Sequence, residues 1–250
     1  TETQKTAKRP PVVAILGHID HGKSTLLDYI RKSNVVSKEA GGITQHISAY
    51  EITHKDEEHG EQKITFIDTP GHEAFRDVRS RGANIADIAI LIVSAEDGVM
   101  PQTVEAINCI RKDNVPFVVA INKIDSSRAD IDRTKSALVE NEVYIEGYGG
   151  DIPVVPISAK TGQGIDDLLS MILLVAEMED LKMDTTQKAK GIVVEANKDE
   201  KRGISATVII KDGNLKIGDF VAGHTSMSPV RSLEDTSGNK YKEVNASLPI

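Results

Sequence analysis

Short apolar runs alternate with helical patterns over roughly the first 180 residues of the chain. The runs are rich in Val and Ile, and the central ones are almost continuously apolar, as strands buried on both faces of a sheet are. The predicted strands are 12–17, 47–53, 63–68, 86–94, 117–122 and 152–158. The predicted helices are 23–32, 73–83, 101–112, 128–142 and 164–181. This alternation predicts an α/β fold with a mostly parallel sheet flanked by helices.

Two stretches depart from that alternation. The charged segment 54–61 is too short for a helical crossover, so the strands on either side of it are expected to pair antiparallel. His54 and His59 lie in this segment and are expected to be solvated. Beyond Leu181 the pattern changes to short strands and turns without a helical period, which predicts a small all-β barrel.

The predicted organisation has four parts. Residues 1–9 are polar and expected to be disordered, 10–181 form the α/β domain, 182–188 a linker, and 189–250 the barrel. The last residues resemble the start of another strand, and a barrel that ended there would leave an open edge. We therefore expect the barrel to be incomplete at its C-terminus and the sequence to be a fragment.

Charge and composition restrict the function. The chain has 250 residues and a formal net charge of −8, and the acidic excess lies in the α/β part. An acidic body argues against bulk attraction to nucleic acid. The slightly basic segment 185–250 suits RNA phosphates better than the rest of the chain, but a charge difference this small is typical of a solvated surface. Cys109 is the single cysteine, which fits a reducing compartment. No apolar run has the roughly 18 residues that a membrane span needs.

Gly17–Ser24 carries the strongest chemical signal, because it matches the phosphate-binding pattern G-x-x-x-x-G-K-[ST] between a predicted strand and a predicted helix. Roughly 0.015 chance matches are expected. Glycines let the backbone wrap phosphates closely, and the helix N-terminus adds partial positive charge. Lys23 is expected to reach the β and γ phosphates, and Ser24 to ligate Mg²⁺. The predicted phosphate-binding residues here are His18, Ile19, Asp20, His21, Gly22, Lys23, Ser24 and Thr25.

A second segment, Asp68-Thr69-Pro70-Gly71, follows the strand predicted at 63–68. The D-x-x-G pattern alone carries no information, since about 1.5 chance copies are expected. Its position gives it meaning, because an acid at the carboxyl end of the next parallel strand can hold Mg²⁺ through water. Asp68 is therefore a predicted metal ligand, and the Gly71 N–H is a predicted γ-phosphate contact.

A third segment, Asn122-Lys123-Ile124-Asp125, predicts which base is bound. The Asp125 carboxylate can accept hydrogen bonds from guanine N1–H and the exocyclic amine, donors that adenine lacks there. The Lys123 stem can lie along one face of the base. The string SAK after the last strand closes the far side with its backbone N–H groups. The predicted guanine-binding residues are Asn122, Lys123, Asp125, Ser158, Ala159 and Lys160.

With these four segments in this order, each after a predicted strand, the chain resembles the GTPase branch of the P-loop proteins. The resemblance implies that Thr44, in GGITQHI, ligates Mg²⁺ only while the γ-phosphate is present. His72 directly follows D-x-x-G, where many small GTPases carry Gln and translational GTPases carry His. His72 is thus the predicted catalytic residue, which orients the attacking water once a partner brings it in.

Longer strings resemble one family of translational GTPases, bacterial translation initiation factor 2. These strings are GHIDHGKSTLLD, EAGGITQHISAYEI, DTPGHEAF, ADIAILIVSAEDGVMPQTVEAI, AINKID, PISAKTGQGIDDLL, KGIVVEANKDEKRG, LKIGDFVAG and VRSLEDTSGNKYKE. GGITQHI separates this family from elongation factor Tu and its relatives. The resemblance implies a GTP-binding domain over 10–181 followed by the β-barrel domain II of that family.

The same resemblance implies further residue roles. Ile19 and Ile43 match a hydrophobic gate that holds back His72 until the ribosome acts. Asp20 matches the position associated with a monovalent cation near the phosphates. Ser24 stands where Thr is common, and either hydroxyl can ligate Mg²⁺.

The function that the resemblance implies is hydrolysis of GTP to GDP and phosphate on the ribosome during subunit joining. The expected partners are the ribosome, GTP or GDP, and Mg²⁺. Initiator tRNA is not expected, because the family's C-terminal domains are not in this sequence. A cytoplasmic monomer without membrane contact is expected. Two alternatives stay open: a nucleotide-gated binding module with negligible hydrolysis, and another translational GTPase such as the selenocysteine-specific elongation factor.

Overall fold

The computed structural model describes residues 6–34, 48–56, 60–68, 85–199, 203–223, 226–235 and 238–250. The helices are α1 Lys23–Asn34, α2 Pro101–Asp113, α3 Ile131–Glu140 and α4 Ile165–Met178. The strands of the first part are β1 Thr6–Lys8, β2 Val12–Gly17, β3 Ser48–Asp56, β4 Gly60–Asp68, β5 Ile88–Ser94, β6 Phe117–Asn122, β7 Val154–Pro156 and β8 Lys182–Asp184. Those of the second part are β9 Lys190–Asp199, β10 Gly203–Asp212, β11 Asn214–Lys216, β12 Phe220–Ala222, β13 Met227–Pro229, β14 Leu233–Glu234, β15 Lys240–Tyr241 and β16 Glu243–Asn245. The helix predicted at 73–83 lies outside the described residues.

A six-stranded sheet in the order β3-β4-β2-β5-β6-β7 forms the centre of the first part. Strands β4, β2, β5, β6 and β7 are parallel, and β3 pairs antiparallel with β4. The predicted mostly parallel sheet and its one antiparallel pair are therefore confirmed. The carboxyl ends of β2, β4, β5 and β6 lie along one edge, where ligands of open α/β sheets bind.

Helices cover both faces of this sheet. Ile90 and Ile92 of β5 belong to the apolar core that α1 and α4 complete, whereas Leu91 and Val93 belong to the core completed by α2 and α3. The alternation follows from the two-residue side-chain period of a strand. Cys109 of α2 is buried, as its place on the inner face of a helical pattern predicts.

The residues after β8 form antiparallel two-stranded ladders around a small apolar core of their own. Strand β9 pairs with β10, β11 with β16, β12 with β13 and β14 with β15. Ile210, Leu215, Leu233 and Val244 are the large buried side chains of this core. The predicted all-β character is confirmed, and closure of these ladders into a barrel stays a prediction.

Apolar and polar contacts join the two parts. Ile209 of β10 is fully buried in a cluster with Val12 and Ile67 of the central sheet. The hydroxyl of Thr65 donates a hydrogen bond of 2.6 Å to the Ser247 carbonyl oxygen. Within the described ranges, no helix is long and apolar enough to cross a membrane.

Two expectations, one for the N-terminal segment and one for His54, are wrong because each segment contacts a part of the chain that is distant in sequence. Thr6–Lys8, within the segment expected to be disordered, form β1, which pairs antiparallel with Lys182–Asp184 of the predicted linker. The sequence predicts a solvated turn at His54, but β3 extends to Asp56 and His54 is buried. Its Nε2 lies 3.2 Å from the Ser170 hydroxyl oxygen. Partners more than 100 residues away supply both contacts, so the local pattern contains no signal for them.

Candidate nucleotide site

The loop between β2 and α1 brings its backbone close to neighbouring segments. Gly17 and Gly22 have φ angles of 147° and 94°, which favour glycine. A Cβ at Gly17 would collide with the Ile92 carbonyl oxygen, and one at Gly22 would collide with the Asn122 side-chain amide. The motif glycines are therefore required by close packing and by backbone conformation together. The result is a narrow backbone cradle in front of α1.

Lys23, the first residue of α1, turns its side chain back over this loop. Its Nζ donates hydrogen bonds to the carbonyl oxygens of Gly17 at 3.0 Å and His18 at 2.7 Å. Burial lowers the pKa of Lys23, and the nearby Asp20 carboxylate partly opposes that effect. The ammonium thus lies inside the loop, within reach of an anion held by the same backbone.

His18 and His21 pack against each other inside the loop. Their rings meet edge to face, with centroids 5.0 Å apart and an interplanar angle of 68°. His21 is 1% exposed, and burial is the main cause that lowers its pKa to about 4. Its imidazole is neutral at pH 7, so His21 supports the loop from beneath and does not add positive charge to it.

The buried His21 predicts a loss of stability between pH 6.5 and pH 4. In this range the unfolded chain binds a proton at His21 that the folded chain does not bind. The contribution of neutral His21 to the free energy of unfolding is therefore complete above pH 6.5 and decreases as the pH is lowered. The free energy of unfolding should drop by about 3 kcal/mol across this window. Denaturant unfolding at several pH values measures this decrease. In His21→Leu the free energy of unfolding should change much less between pH 6.5 and pH 4. An unchanged slope in the variant would contradict the assignment.

Candidate magnesium ligands lie at the carboxyl edge of adjacent strands. Ser24 and Thr25 are exposed in the first turn of α1, and Asp68 is the last residue of β4, which runs parallel to β2. Hydroxyl and carboxylate oxygens are the donors that Mg²⁺ prefers, usually alongside several waters. Ser24 and Asp68 therefore suit the ion in chemistry and in strand position. In the part of the chain that the structure describes, no group of three or more His, Cys, Asp or Glu could hold a metal ion.

Asn122 connects the phosphate loop to the loop after β7. Its Nδ2 donates to the His21 carbonyl oxygen at 2.8 Å, and its Oδ1 accepts from the Ala159 N–H at 2.9 Å. Asn122 is 3% exposed. These two bonds make Asn122 a connector between the two loops, and the base contact that the sequence assigns to it stays a prediction.

Asp125 is exposed at the same edge and is held from the side by Ser158. The fully buried Ser158 donates its hydroxyl to Asp125 Oδ1 at 2.7 Å and accepts the Thr161 N–H at 3.1 Å. Ala159 is buried behind Asn122, whereas Lys160 is exposed. Asp125 therefore presents a fixed carboxylate to the solvent side of the site.

Ile19 lies on the outside of the phosphate loop and is 58% exposed. Its N–H donates to Gln102 Oε1 of α2 at 2.9 Å. Its predicted gate partner Ile43 lies outside the described residues, as do Thr44, Gly71 and His72. Glu96, which belongs to none of the four nucleotide motifs, also lies at this edge, where it contacts Lys123. Its position directly after β5, next to β6, is the signal that could have identified it.

Comparisons with known proteins identify both parts of the chain. The family model described as the elongation factor Tu GTP binding domain matches residues 8–178, and elongation factor G domain 2 matches residues 188–250. Translation initiation factor IF-2 of Syntrophomonas wolfei is 55% identical over 242 residues, which cover 97% of this chain and 27% of that protein. The protein of the same name from Clostridium perfringens strain 13 is 52% identical and matches 100% of this chain and 36% of its own length.

Solved structures agree with this fold. GDP-bound aIF5B from Aeropyrum pernix is 32% identical with a TM-score of 0.73, over 97% of this chain and 51% of that chain. Translation elongation factor SelB from Methanococcus maripaludis, in its apo form, is 26% identical with a TM-score of 0.74, over 97% of this chain and 50% of that one. The chain thus spans about half of these solved chains and 27% to 36% of the two curated relatives.

Proposed function

The chain belongs to the family defined by the elongation factor Tu GTP-binding domain, and from that membership we propose that it binds GTP and GDP and hydrolyses GTP as part of a bacterial-type translation initiation factor. The observation that carries the proposal is the arrangement of Lys23 and Asp125 at one sheet edge, with Asn122 joining their loops. A phosphate cradle and a carboxylate for the base edge then face one nucleotide. Relatives at 52–55% identity named translation initiation factor IF-2 favour initiation.

The site residues divide between the two ends of the nucleotide. Backbone N–H groups of Gly17–Ser24 and the N-terminus of α1 bind the phosphates. Lys23 exchanges its contacts with Gly17 and His18 for β and γ oxygens. At the other end, Asp125 accepts from guanine N1–H and the amine, and the Lys123 stem lies along the base. The N–H groups of the 158–160 loop face guanine O6.

Hydrolysis depends on residues on both sides of the γ-phosphate. Ser24, and Asp68 through water, would hold Mg²⁺, which would neutralise charge on the β and γ phosphates. Thr44 would add its oxygen as a ligand only in the GTP state, and the Gly71 N–H would contact the γ-phosphate. His72 orients the attacking water. A monovalent cation at Asp20 and the gate formed by Ile19 and Ile43 are also part of the proposal.

The proposed partner is the ribosome, which displaces the gate and admits His72 to the water. Turnover of the chain alone is then slow, because the catalytic residue is held away from the γ-phosphate. Because its proposed partner is the ribosome, we propose that the protein acts in the cytoplasm and as a monomer. A selenocysteine-specific elongation factor shares the fold, but the solved SelB chain is 26% identical, well below the relatives named for initiation.

A titration of the purified chain with GTP, GDP and ATP tests the binding proposal. Guanine nucleotides should bind with micromolar or tighter Kd, and ATP should bind at least about 10²-fold more weakly because it leaves Asp125 without donors. Phosphate release measured with and without ribosomes tests the hydrolysis proposal. Equal affinity for ATP and GTP would overturn the base assignment. Turnover at background level with ribosomes would favour a nucleotide-gated binding module.

His72→Ala should lower ribosome-stimulated turnover by about 10²-fold and leave the Kd for GTP within about twofold. The reason is that a group which positions the water acts in the transition state and not in the ground state. Single-turnover phosphate release and equilibrium titration measure the two quantities. His59→Ala, a change outside the motifs, is the matched control. A parallel loss of GTP affinity in His72→Ala would instead indicate a structural histidine.

A further inference from the structure

A carboxylate in the loop after β5 binds the loop that carries Lys123. Glu96 Oε1 accepts from the Ser126 hydroxyl at 2.5 Å and from Arg128 Nη2 at 2.9 Å. Glu96 Oε2 lies 3.3 Å from Lys123 Nζ, and the Glu96 side chain is only 12% exposed. One carboxylate therefore holds three side chains of the segment 123–128 together.

The backbone fixes Glu96 before any ligand arrives. Ser94 is fully buried at the end of β5, and its Oγ accepts the N–H groups of Glu96 at 3.1 Å and Asp97 at 3.4 Å. The Ala95 N–H donates to the Asn122 carbonyl oxygen at 2.8 Å, which continues the β5–β6 pairing to the edge of the site. The carboxylate is thus supported by a strand end, and not by a free loop.

Lys123 is the side chain that this arrangement holds in one orientation. Its φ angle of 66° is left-handed, so the backbone itself is constrained at this position. Its ammonium is 3.3 Å from Glu96 and 3.6 Å from Asp97. A hydrogen bond from Ser126, followed by those from Arg128 and Lys123, lowers the pKa of Glu96 to about 2, so the carboxylate is ionised at neutral pH.

We propose that Glu96 is a positioning residue of the guanine subsite, which fixes the Lys123 ammonium so that the aliphatic stem forms a preformed wall for the base. A long lysine chain that is already ordered loses less rotamer freedom when the nucleotide binds. Glu96 acts at the base end, so it should contribute equally to the binding of GDP and GTP. This inference rests on the proposed function, because it requires that Lys123 lines a guanine site.

Glu96→Gln is the test, because it removes the charge and keeps the size and an acceptor for Ser126. The Kd values for GDP and GTP should both rise about fivefold, by the same factor. Lys123→Met, which keeps a long apolar stem, should raise both by a similar factor. In the Lys123→Met background, Glu96→Gln should add less than twofold, because it acts through the ammonium. Glu140→Gln, at the far end of α3, is the matched control and should bind normally.

Equilibrium titration with GDP and GTP, together with thermal midpoints, distinguishes the outcomes. The inference would be overturned if the two single changes raised Kd by factors that multiply in the double variant. It would also be overturned if the GDP Kd of Glu96→Gln stayed within twofold of that of the unmodified chain. In both cases GDP binding by the unmodified chain would still stand. A change confined to GTP would overturn it as well, because that effect lies at the γ-phosphate. Failure of the unmodified chain to bind GDP would overturn the proposed function and this inference with it.

Discussion

Asp125→Asn is expected to transfer the preference of the chain from guanine to xanthine nucleotides, with a loss of GDP affinity of roughly 10³-fold. Each hydrogen bond between guanine and the ionised carboxylate contributes about 1.5–3 kcal/mol, and the variant loses both. Xanthine carries a carbonyl where guanine carries its amine. A side-chain amide at position 125 can donate to that carbonyl.

The Ser158 contact decides how the new amide is oriented. The Ser158 hydroxyl donates to Asp125 Oδ1 at 2.7 Å. The Asn carbonyl oxygen can accept the same bond, and its NH₂ group then faces the base. Titration with GDP and xanthosine diphosphate measures the switch, with Asp132→Asn on the exposed side of α3 as the control. Unchanged selectivity for GDP in Asp125→Asn would show that another group reads the base.

The fold could be predicted from the sequence wherever burial on both faces produces an unambiguous pattern. Strand β5 is fully buried and β2 leads directly into the glycine loop, so apolar runs and the phosphate motif determine both. Strand β1 could not be predicted, because Thr6–Lys8 lie in a mostly polar segment and gain their structure from a partner strand about 175 residues later. Pairing of that kind depends on tertiary contacts, which a local pattern does not contain.

In the candidate site, residues with a chemical role can be predicted from the sequence, whereas residues that support them cannot. Lys23 and Asp125 are predicted because their types and spacing are tied to phosphates and to a base. Asn122 belongs to the same motif, yet the structure gives it a connecting role that needs the positions of His21 and Ala159 to be known. Glu96 belongs to none of the four nucleotide motifs, and its contact with Lys123 can be inferred only once β5 and β6 are known to be neighbours.

A buried charge cluster joins the central sheet to the second part of the chain. Asp87, just before β5, accepts Arg9 at 2.6 and 2.7 Å and Lys211 of β10 at 2.6 Å. It also accepts the Val12 N–H at 2.9 Å. Burial alone would raise the pKa of Asp87, but the hydrogen bond and charge of Arg9 and the charge of Lys211 bring it below its usual value. The side chains of Arg9 and Asp87 are each 8% exposed.

Asp87→Asn should therefore lower the free energy of unfolding by about 3 kcal/mol, because two buried cations lose their counter-charge while size and acceptor oxygen are kept. Glu142→Gln is the matched control, since the Glu142–Arg111 pair is exposed and should contribute less than about 1 kcal/mol. Denaturant unfolding measures both changes. Lys211→Met in the Asp87→Asn background should recover part of the loss, because one unpaired buried cation is removed. If Asp87→Asn costs no more than the control, the cluster does not hold the two parts together, and the interface depends on the apolar contact of Ile209 with Val12 and Ile67 and on the Thr65–Ser247 hydrogen bond.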